Sequence, residues 1–262
     1  YMASSGYLSM PKCLELALTD GRCLLTGDRI GPSTGAAEGF SSMDRLLEAY
    51  RDQVSAFVGL LADCINITDR AQAELAPLPF YSCLFDDCVP RGLDLNDGGA
   101  VYNFTSPQGV GTANVADALA AVDRLVFRDR ALSMAEMTAA VRDDFQGHER
   151  VERLIARRAP RYGNDDDAVD LLARLASSIY GREVERHRNP RGGAFQPGLY
   201  PVTANIPMGR AVGALPDGRR AGRPLADGIS PVAGRDLKGP TAVMRSVAKL
   251  EHIRFSNGTL LN

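Results

Sequence analysis

The chain has 262 residues and a formal net charge of −2, with 45% hydrophobic and 24% charged residues. This is an ordinary globular composition, and the near-neutral charge argues against a nucleic acid or an anionic membrane held by bulk charge. No apolar run approaches the roughly 18–20 residues of a membrane span, and no basic and apolar leader opens the chain. We therefore expect a globular cytoplasmic protein without nucleic-acid or membrane partners.

The two ends of the chain have the character of internal sequence. The chain begins at Tyr1 rather than Met, and it stops with the apolar Leu260 and Leu261 just before Asn262. Natural termini are usually polar and frayed. This pattern predicts an internal piece of a longer protein.

The first half of the chain predicts mainly helices. A short helix is expected within residues 8–18, starting near Pro11, because proline is favoured at the first helical position. Residues 41–75 give the clearest signal, since apolar side chains recur at three- and four-residue steps after a Ser-x-x-Asp capping pattern that begins at Ser41. Residues 80–89 are apolar and rich in β-formers, which predicts a buried strand or a helix–strand junction.

The second half alternates helices with stretches rich in glycine and proline. Three further helices are predicted. The first covers residues 114–126, the second runs from a cap formed by Ser133 and Glu136 to about residue 145, and the third covers residues 168–187. Short extended pieces are expected at residues 198–207, 212–215 and 241–247. Helices that alternate with short strands favour an α/β fold.

The cysteines and histidines lack the spacing of a metal site or a nucleophile–base pair. They are Cys13, Cys23, Cys64, Cys83, Cys88, His148, His187 and His252. An odd number of cysteines without a leader is typical of reduced thiols in a cytoplasm. We expect free cysteines and no metal.

Three local motifs each allow two interpretations. Residues 109–114 resemble a dinucleotide turn, but Asn replaces its last glycine and no clear strand precedes it, so a turn shaped by packing is favoured. Residues 165–167 are acidic and could bind a hard cation, although capping of the next helix is the simpler interpretation. Arg219, Arg220 and Arg223 could hold an anionic group, but the alternative interpretation is that they form salt bridges within their loop.

Six sequence blocks in a fixed order are far more specific than these motifs. They are KCLELAL at 12–18 followed by DG, DGGAVYNF at 97–104 followed by PQGVG, YGND at 162–165, NPRGG at 189–193 followed by QPGLYP, PDGRR at 216–220 followed by PLADG, and SNGT at 256–259. Together they resemble the glycyl-radical enzyme family, which contains pyruvate formate-lyase and the B12-independent diol dehydratases. The resemblance covers essentially the whole chain.

This resemblance implies a protein of roughly 800 residues with a ten-stranded α/β barrel of the pyruvate formate-lyase type and long surrounding helices, of which residues 1–262 form one partial domain. One loop inside such a barrel carries a catalytic cysteine, and another carries a glycine that stores a radical. A separate activase, which uses S-adenosylmethionine and a 4Fe–4S cluster, installs that radical. The cysteine thiyl then takes hydrogen from a small organic substrate. A homodimer and anaerobic metabolism are also implied.

The radical residues of the family fall outside this chain on that alignment. The catalytic cysteine falls upstream of Tyr1 and the radical glycine beyond Asn262, so the chain alone is expected to be inactive and to bind no cofactor. None of the five cysteines takes the catalytic role.

Four positions match substrate-site positions of the family. Tyr7 and Tyr200 correspond to tyrosines near the substrate, with plain barrel packing as the alternative for both. Ser4 stands where polyol dehydratases carry an aspartate, and Val202 where they carry a serine. Both replacements lower the polarity of the site, which argues against glycerol or propanediol as the substrate.

The blocks also indicate a branch of the family. Pyruvate formate-lyase itself lacks the block at residues 103–111 and the block around Tyr200, so this chain lies nearer to the dehydratases, decarboxylases and C–N lyases. The leading interpretation is part of a radical lyase that acts on a small organic substrate. A formate C-acetyltransferase-like enzyme, a noncatalytic module on the same fold and a nucleotide-binding domain are the alternatives.

Overall fold

The computed structural model describes residues 2–261, and the side chains of residues 2–4 lie outside the described part. In chain order the elements are β1 (Met2–Ser9), α1 (Met10–Leu18), α2 (Met43–Leu75), α3 (Pro79–Ser82), α4 (Cys88–Arg91), β2 (Thr105–Val110), α5 (Thr112–Val122), α6 (Met134–Arg142), α7 (Glu149–Arg158), α8 (Asp167–Val184), α9 (Asn205–Arg210) and α10 (Pro240–Ala248). A π-helical turn over Asp123–Arg128 continues α5.

Four parallel segments form a wall at the centre of the chain. β1 pairs with β2 in parallel, with Tyr7 opposite Gln108. Gln108 in turn lies opposite Gly198, and Leu199 lies opposite Thr259, again in parallel. We call β1, β2, the Gly198 segment and the Thr259 segment together the parallel wall.

Helices cover one face of the parallel wall. A side chain at Gly6 would come within 2.9 Å of Leu61 on α2, and one at Gly109 within 2.8 Å of the Tyr180 ring on α8. Side chains alternate between the two faces of a strand. Tyr7 and Gln108 therefore lie on the opposite face, which we call the inner face.

The hydrophobic core lies between the parallel wall and its helices. Leu14 of α1, Leu46 and Tyr50 of α2, Leu119 of α5 and Tyr180 of α8 are all fully buried in one cluster. All residues of α5 are buried, and most are small or β-branched. Because α5 is covered on every side, its sequence shows no polar face.

Several predicted helices are confirmed. The helix predicted at residues 41–75 is α2, and the hydroxyl of Ser42 rather than Ser41 accepts the capping hydrogen bond, from the Arg45 N–H at 3.3 Å. α6 begins with the predicted capping box, in which Ser133 and Glu136 each accept from the other's backbone N–H. α8 matches the helix predicted at residues 168–187.

The strand predicted within residues 80–89 is wrong. The short helices α3 and α4 occupy this stretch, and no strand pairs with it among the described residues. Phe80 and Leu84 are mostly exposed. β-branched and aromatic composition favours a strand only where a neighbouring strand and a covering layer exist, and here neither does.

One predicted extended piece is wrong, and another is right only in its first part, where Gly198 and Leu199 pair with neighbouring segments. Residues 241–247 lie in α10, which starts with Pro240 after Gly239 and buries Val243 and Val247, four residues apart, on one face. α9 occupies the second part of residues 198–207. The predicted opening helix is confirmed, because α1 begins at Met10 with Pro11 in its first turn, and β1 occupies the residues before it.

No helix within residues 2–261 combines the length and the apolar character needed to cross a bilayer.

Candidate site on the inner face

The parallel wall brings Tyr7 and Tyr200 onto one face. Tyr7, Gln108 and Gly198 occupy one cross-strand row, and Tyr200 lies two residues beyond Gly198 on the same side of the alternation. The Gln108 side chain is fully buried, and its Oε1 accepts a hydrogen bond from the Tyr200 N–H at 3.2 Å. Gln108 thus lies between the two predicted site tyrosines.

Tyr200 marks the point where the chain leaves the wall. The preceding Leu199 donates its N–H to the Gly258 carbonyl at 2.9 Å. The Tyr200 ring lies 3.9 Å from the place that a side chain at Gly258 would occupy. Two of the six blocks that carry the family resemblance, QPGLYP and SNGT, therefore meet at this ring.

The other two predicted site residues are placed differently. Val202 lies in the turn after Tyr200, with 59% of its surface exposed and a φ of +57°. This left-handed conformation is unfavourable for a β-branched residue. The backbone of Ser4 belongs to β1, but its side chain lies outside the described residues.

Sequence reasoning missed Gln108 as a component of this site. The residue stands in the block PQGVG, but nothing local shows that its amide is buried beside Gly198, which is far away in the chain. The usable signal is the pairing of a polar residue in one glycine-rich block with a glycine in another. Only the strand register shows that the two residues are in contact.

The five cysteines are free thiols, of which Cys13, Cys23 and Cys88 are buried. Burial raises the pKa of Cys13 to about 12, so this thiol stays protonated. Burial opposes ionisation at Cys23 as well, but hydrogen bonds from Lys12 at 3.1 Å, from Thr26 and from the Leu25 backbone together outweigh it, and the pKa of Cys23 falls below its ordinary value. No group of three or more metal-binding side chains occurs within the described residues.

The turn at residues 109–114 is closed by packing. β2 does precede it, so the expectation that no strand leads into it was wrong. Gly111 has a φ of +85°, and a side chain there would come within 2.5 Å of the Pro11 ring. The start of α1 therefore occupies the place where a dinucleotide turn would approach its ligand.

The acidic run at residues 165–167 serves α8. Asp166 caps the helix. The Lys249 ammonium lies 2.9 Å from Asp165, 2.7 Å from Asp167 and 2.8 Å from Asp170. The Lys249 ammonium thus pairs with the carboxylates that would otherwise be the ligands of a hard cation.

The arginines of the loop at residues 216–236 line a separate cavity of about 780 Å³, whose lining does not include Tyr7 or Tyr200. The Arg219 guanidinium donates to the carbonyls of Gly213 and Gly209, each at 2.7 Å. Arg220 pairs with Glu152 at 2.8 Å. Both side chains are thus held within the protein, but not by the predicted salt bridges inside their loop: Arg219 binds backbone carbonyls, and the partner of Arg220 lies on α7.

A buried carboxyl lies next to Arg161, which lines that cavity. Asp117 on α5 accepts a hydrogen bond from the Tyr162 N–H at 2.7 Å, and its other oxygen lies 3.7 Å from Arg161. Burial raises the pKa of Asp117 to about 7, since Arg161 compensates it only in part.

A parallel wall with helices on one face and tyrosines beside a buried amide on the other has the architecture of a barrel segment in an α/β enzyme. A family model described as pyruvate formate lyase-like matches residues 1–209, and one described as glycine radical matches residues 225–262. The chain belongs to the pyruvate formate lyase-like family of glycyl-radical enzymes.

Its relatives include dehydratases. The (2S)-3-sulfopropanediol dehydratase of Klebsiella oxytoca is 39% identical over 98% of this chain and 32% of its own length. The trans-4-hydroxy-L-proline dehydratase of Clostridioides difficile is 36% identical over 98% of this chain and 33% of its own. The glycerol-bound B12-independent glycerol dehydratase of Clostridium butyricum superposes with a TM-score of 0.95 at 45% identity, over 98% of this chain and 32% of that one.

These comparisons confirm the predicted family and the α/β fold of the pyruvate formate-lyase type, and the family is enzymatic. The chain spans about a third of the length of the relatives it matches. The location of the radical cysteine and glycine outside this chain stays a prediction, as do the roles of the four substrate-site residues.

Proposed function

We propose that this chain forms part of the substrate-holding wall of a radical lyase, in which Tyr7 and Tyr200 flank the substrate. The observation that carries the proposal is their position on one face of the parallel wall, on either side of Gln108. The dehydratase names of the relatives support a reaction in which water or another small group leaves a small organic molecule.

In this proposal the chain supplies binding, orientation and exclusion of water. The glycyl radical, installed elsewhere in the protein, supplies the hydrogen-abstracting chemistry. Tyrosine rings offer an apolar surface with a hydroxyl at one end, so Tyr7 and Tyr200 can orient a polar substrate while they cover its carbon skeleton. A closed wall also keeps water from reactive intermediates.

The proposal includes partners and a location. A radical-SAM activase with a 4Fe–4S cluster, assembly as a homodimer and a cytoplasmic location follow from the family resemblance. Ser4 and Val202 favour a substrate other than glycerol, since both offer less hydrogen bonding than the aspartate and serine that polyol dehydratases place there.

The test uses the full-length gene product that contains these residues, purified without oxygen and treated with its activase and S-adenosylmethionine. Electron paramagnetic resonance is expected to detect an organic radical. Mass spectrometry is expected to detect a product from (2S)-3-sulfopropanediol or trans-4-hydroxy-L-proline and none from glycerol. A protein that carries the radical but converts no member of a wide panel of small hydroxylated or anionic compounds would contradict the lyase assignment.

The tyrosine roles are tested in the same assay. Tyr7→Phe and Tyr200→Phe are each expected to lower kcat/KM by about 10-fold or more, because each removes one hydrogen bond to the substrate. Tyr102→Phe is the matched control, since Tyr102 is 71% exposed and lies outside the strands of the parallel wall. Equal rates in all three variants would leave plain packing as the role of Tyr7 and Tyr200.

A further inference from the structure

Gln108 occupies the middle of the inner-face row. It lies opposite Tyr7 on one side and opposite Gly198 on the other. Its side chain has no exposed surface. A buried amide is costly unless its polar atoms are hydrogen-bonded, so its orientation is fixed by its partners.

Gly198 provides the space in which that amide lies. A side-chain carbon at Gly198 would be 2.3 Å from Oε1 and 2.7 Å from Nε2 of Gln108. The φ of Gly198 is outside the left-handed region, so glycine is needed here because it has no side chain and not because of its backbone conformation. The Gln108 side chain therefore crosses the wall directly over Gly198.

The far end of the amide reaches Tyr200. Gln108 Oε1 accepts the Tyr200 N–H at 3.2 Å, at the residue where the chain turns away from the wall. On its other side the Tyr200 ring packs next to Gly258. The Gln108 amide thus holds the backbone of Tyr200, and Gly258 leaves room for its ring.

We propose that Gln108 is a positioning residue that sets the place of Tyr200 on the inner face, and that Gly198 is the gap this requires. The inference deepens the proposed function, because it matters for catalysis only if Tyr200 contacts the substrate. It predicts that filling the gap, or removing the amide, displaces Tyr200 while the rest of the fold persists.

The first test is a double-mutant cycle on stability. Gly198→Ala is expected to lower the denaturation midpoint clearly, because the new methyl group meets the amide. In a Gln108→Ala background the same substitution is expected to change the midpoint little, since the amide is gone. An equal loss in both backgrounds would overturn the contact.

The second test follows Tyr200 itself. 3-Fluorotyrosine placed site-specifically at position 200, or at position 180, of the full-length protein gives one 19F NMR signal for each ring. Gln108→Met, which keeps the length of the side chain but removes the amide, is expected to shift or broaden the Tyr200 signal. Gly198→Ala is expected to do the same.

Gly109→Ala is the matched control. It introduces a methyl group into the same wall, but toward the Tyr180 ring on the helix-covered face. Its larger effect is expected on the Tyr180 signal, because the methyl group would lie 2.8 Å from that ring and 3.1 Å from Leu199, the residue before Tyr200. A Tyr200 signal that stays in place in folded Gln108→Met would overturn the proposal.

Kinetics separate this inference from the proposed function. In the activated full-length enzyme, a displaced Tyr200 is expected to lower kcat/KM by about 10-fold to 100-fold, with a larger effect on kcat than on KM for the intact substrate. If the NMR signal moves and the kinetics do not, Gln108 does position Tyr200, and it is the substrate role of Tyr200 that fails.

Discussion

The Glu15 carboxylate accepts a hydrogen bond from the backbone N–H of Gly213 at 2.8 Å, across 198 positions of sequence. The same fully buried carboxylate accepts from Lys12 at 2.6 Å and from the Leu24 N–H at 2.8 Å. Glu15 therefore joins α1, the loop after it and the segment before the arginine-rich loop. These contacts also hold the strand that carries Tyr7, because α1 follows directly from β1.

Removal of the Glu15 carboxylate is expected to be strongly destabilising. Glu15→Ala leaves Lys12 and two backbone N–H groups without their acceptor, and breaking such a buried pair costs about 3–5 kcal/mol of unfolding free energy. Urea denaturation measures the change. Glu48→Ala is the control, because Glu48 pairs with Arg45 on the surface of α2. Such exposed pairs contribute at most about 1 kcal/mol, so similar losses in the two variants would contradict this account.

The stability of the protein is expected to fall between about pH 4 and pH 7 through Asp117. Its pKa rises from 3.8 to about 7 on folding. In that interval the folded protein holds a proton that the unfolded chain has released, so raising the pH favours unfolding, by up to about 4 kcal/mol. Above pH 7 this contribution levels off.

Asp117→Asn removes that titration while it keeps a carbonyl oxygen for the Tyr162 N–H. The difference in unfolding free energy between this variant and the original protein is expected to grow in favour of the variant from pH 4 to pH 7. Asp52→Asn, at an exposed position of α2, should follow the original protein throughout. Parallel pH profiles for Asp117→Asn and the original chain would show that burial does not hold the proton.

Gly111→Ala is expected to cost more than an ordinary glycine substitution. Its positive φ alone makes alanine unfavourable by about 1–2 kcal/mol, and the new methyl group would also overlap the Pro11 ring. Gly147 has a φ of +76° and no atom within 4 Å of its side-chain position. Gly147→Ala therefore measures the backbone cost alone, and the excess loss in Gly111→Ala measures the contact. Partial rescue by Pro11→Ala would confirm its source, while equal losses at the two glycines would exclude it.

Val202→Gly is expected to stabilise the protein by about 1 kcal/mol, because glycine accepts the left-handed backbone that valine occupies there. Val202→Thr keeps the β-branch and is expected to give no gain. Thermal unfolding of the two variants compares them directly. A loss on Val202→Gly would mean that the valine side chain contributes more than its exposed position indicates.

The long helices could be predicted from sequence because their signals are local. α2 repeats apolar side chains over many turns, and α6 carries its capping box at both positions. β1 and β2 could not, since strands of a parallel sheet with covered faces lack the alternation of apolar and polar residues. β2 even contains Pro107 and Gly109, which read as a loop when the neighbouring segments are unknown.

The candidate site divides in the same way. Tyr7 and Tyr200 could be named from the ordered blocks around them, whereas Gln108 emerged only with the strand register. Two strands that lie side by side can be far apart in the chain, and no periodicity in either one encodes the other. The sequence therefore predicts the two tyrosines of the site but not the glutamine between them.

The parallel wall also constrains the order in which the protein is assembled. Each neighbouring pair of segments must run in the same direction, so the chain has to travel back across the molecule before each new pairing. Such distant contacts lose much chain entropy before they gain stability, which slows folding. On the ribosome, the pairing of Leu199 waits until Thr259 has emerged. Until then the Gly198 segment presents an open edge to other chains, and chaperone assistance at that stage would raise the yield of folded protein.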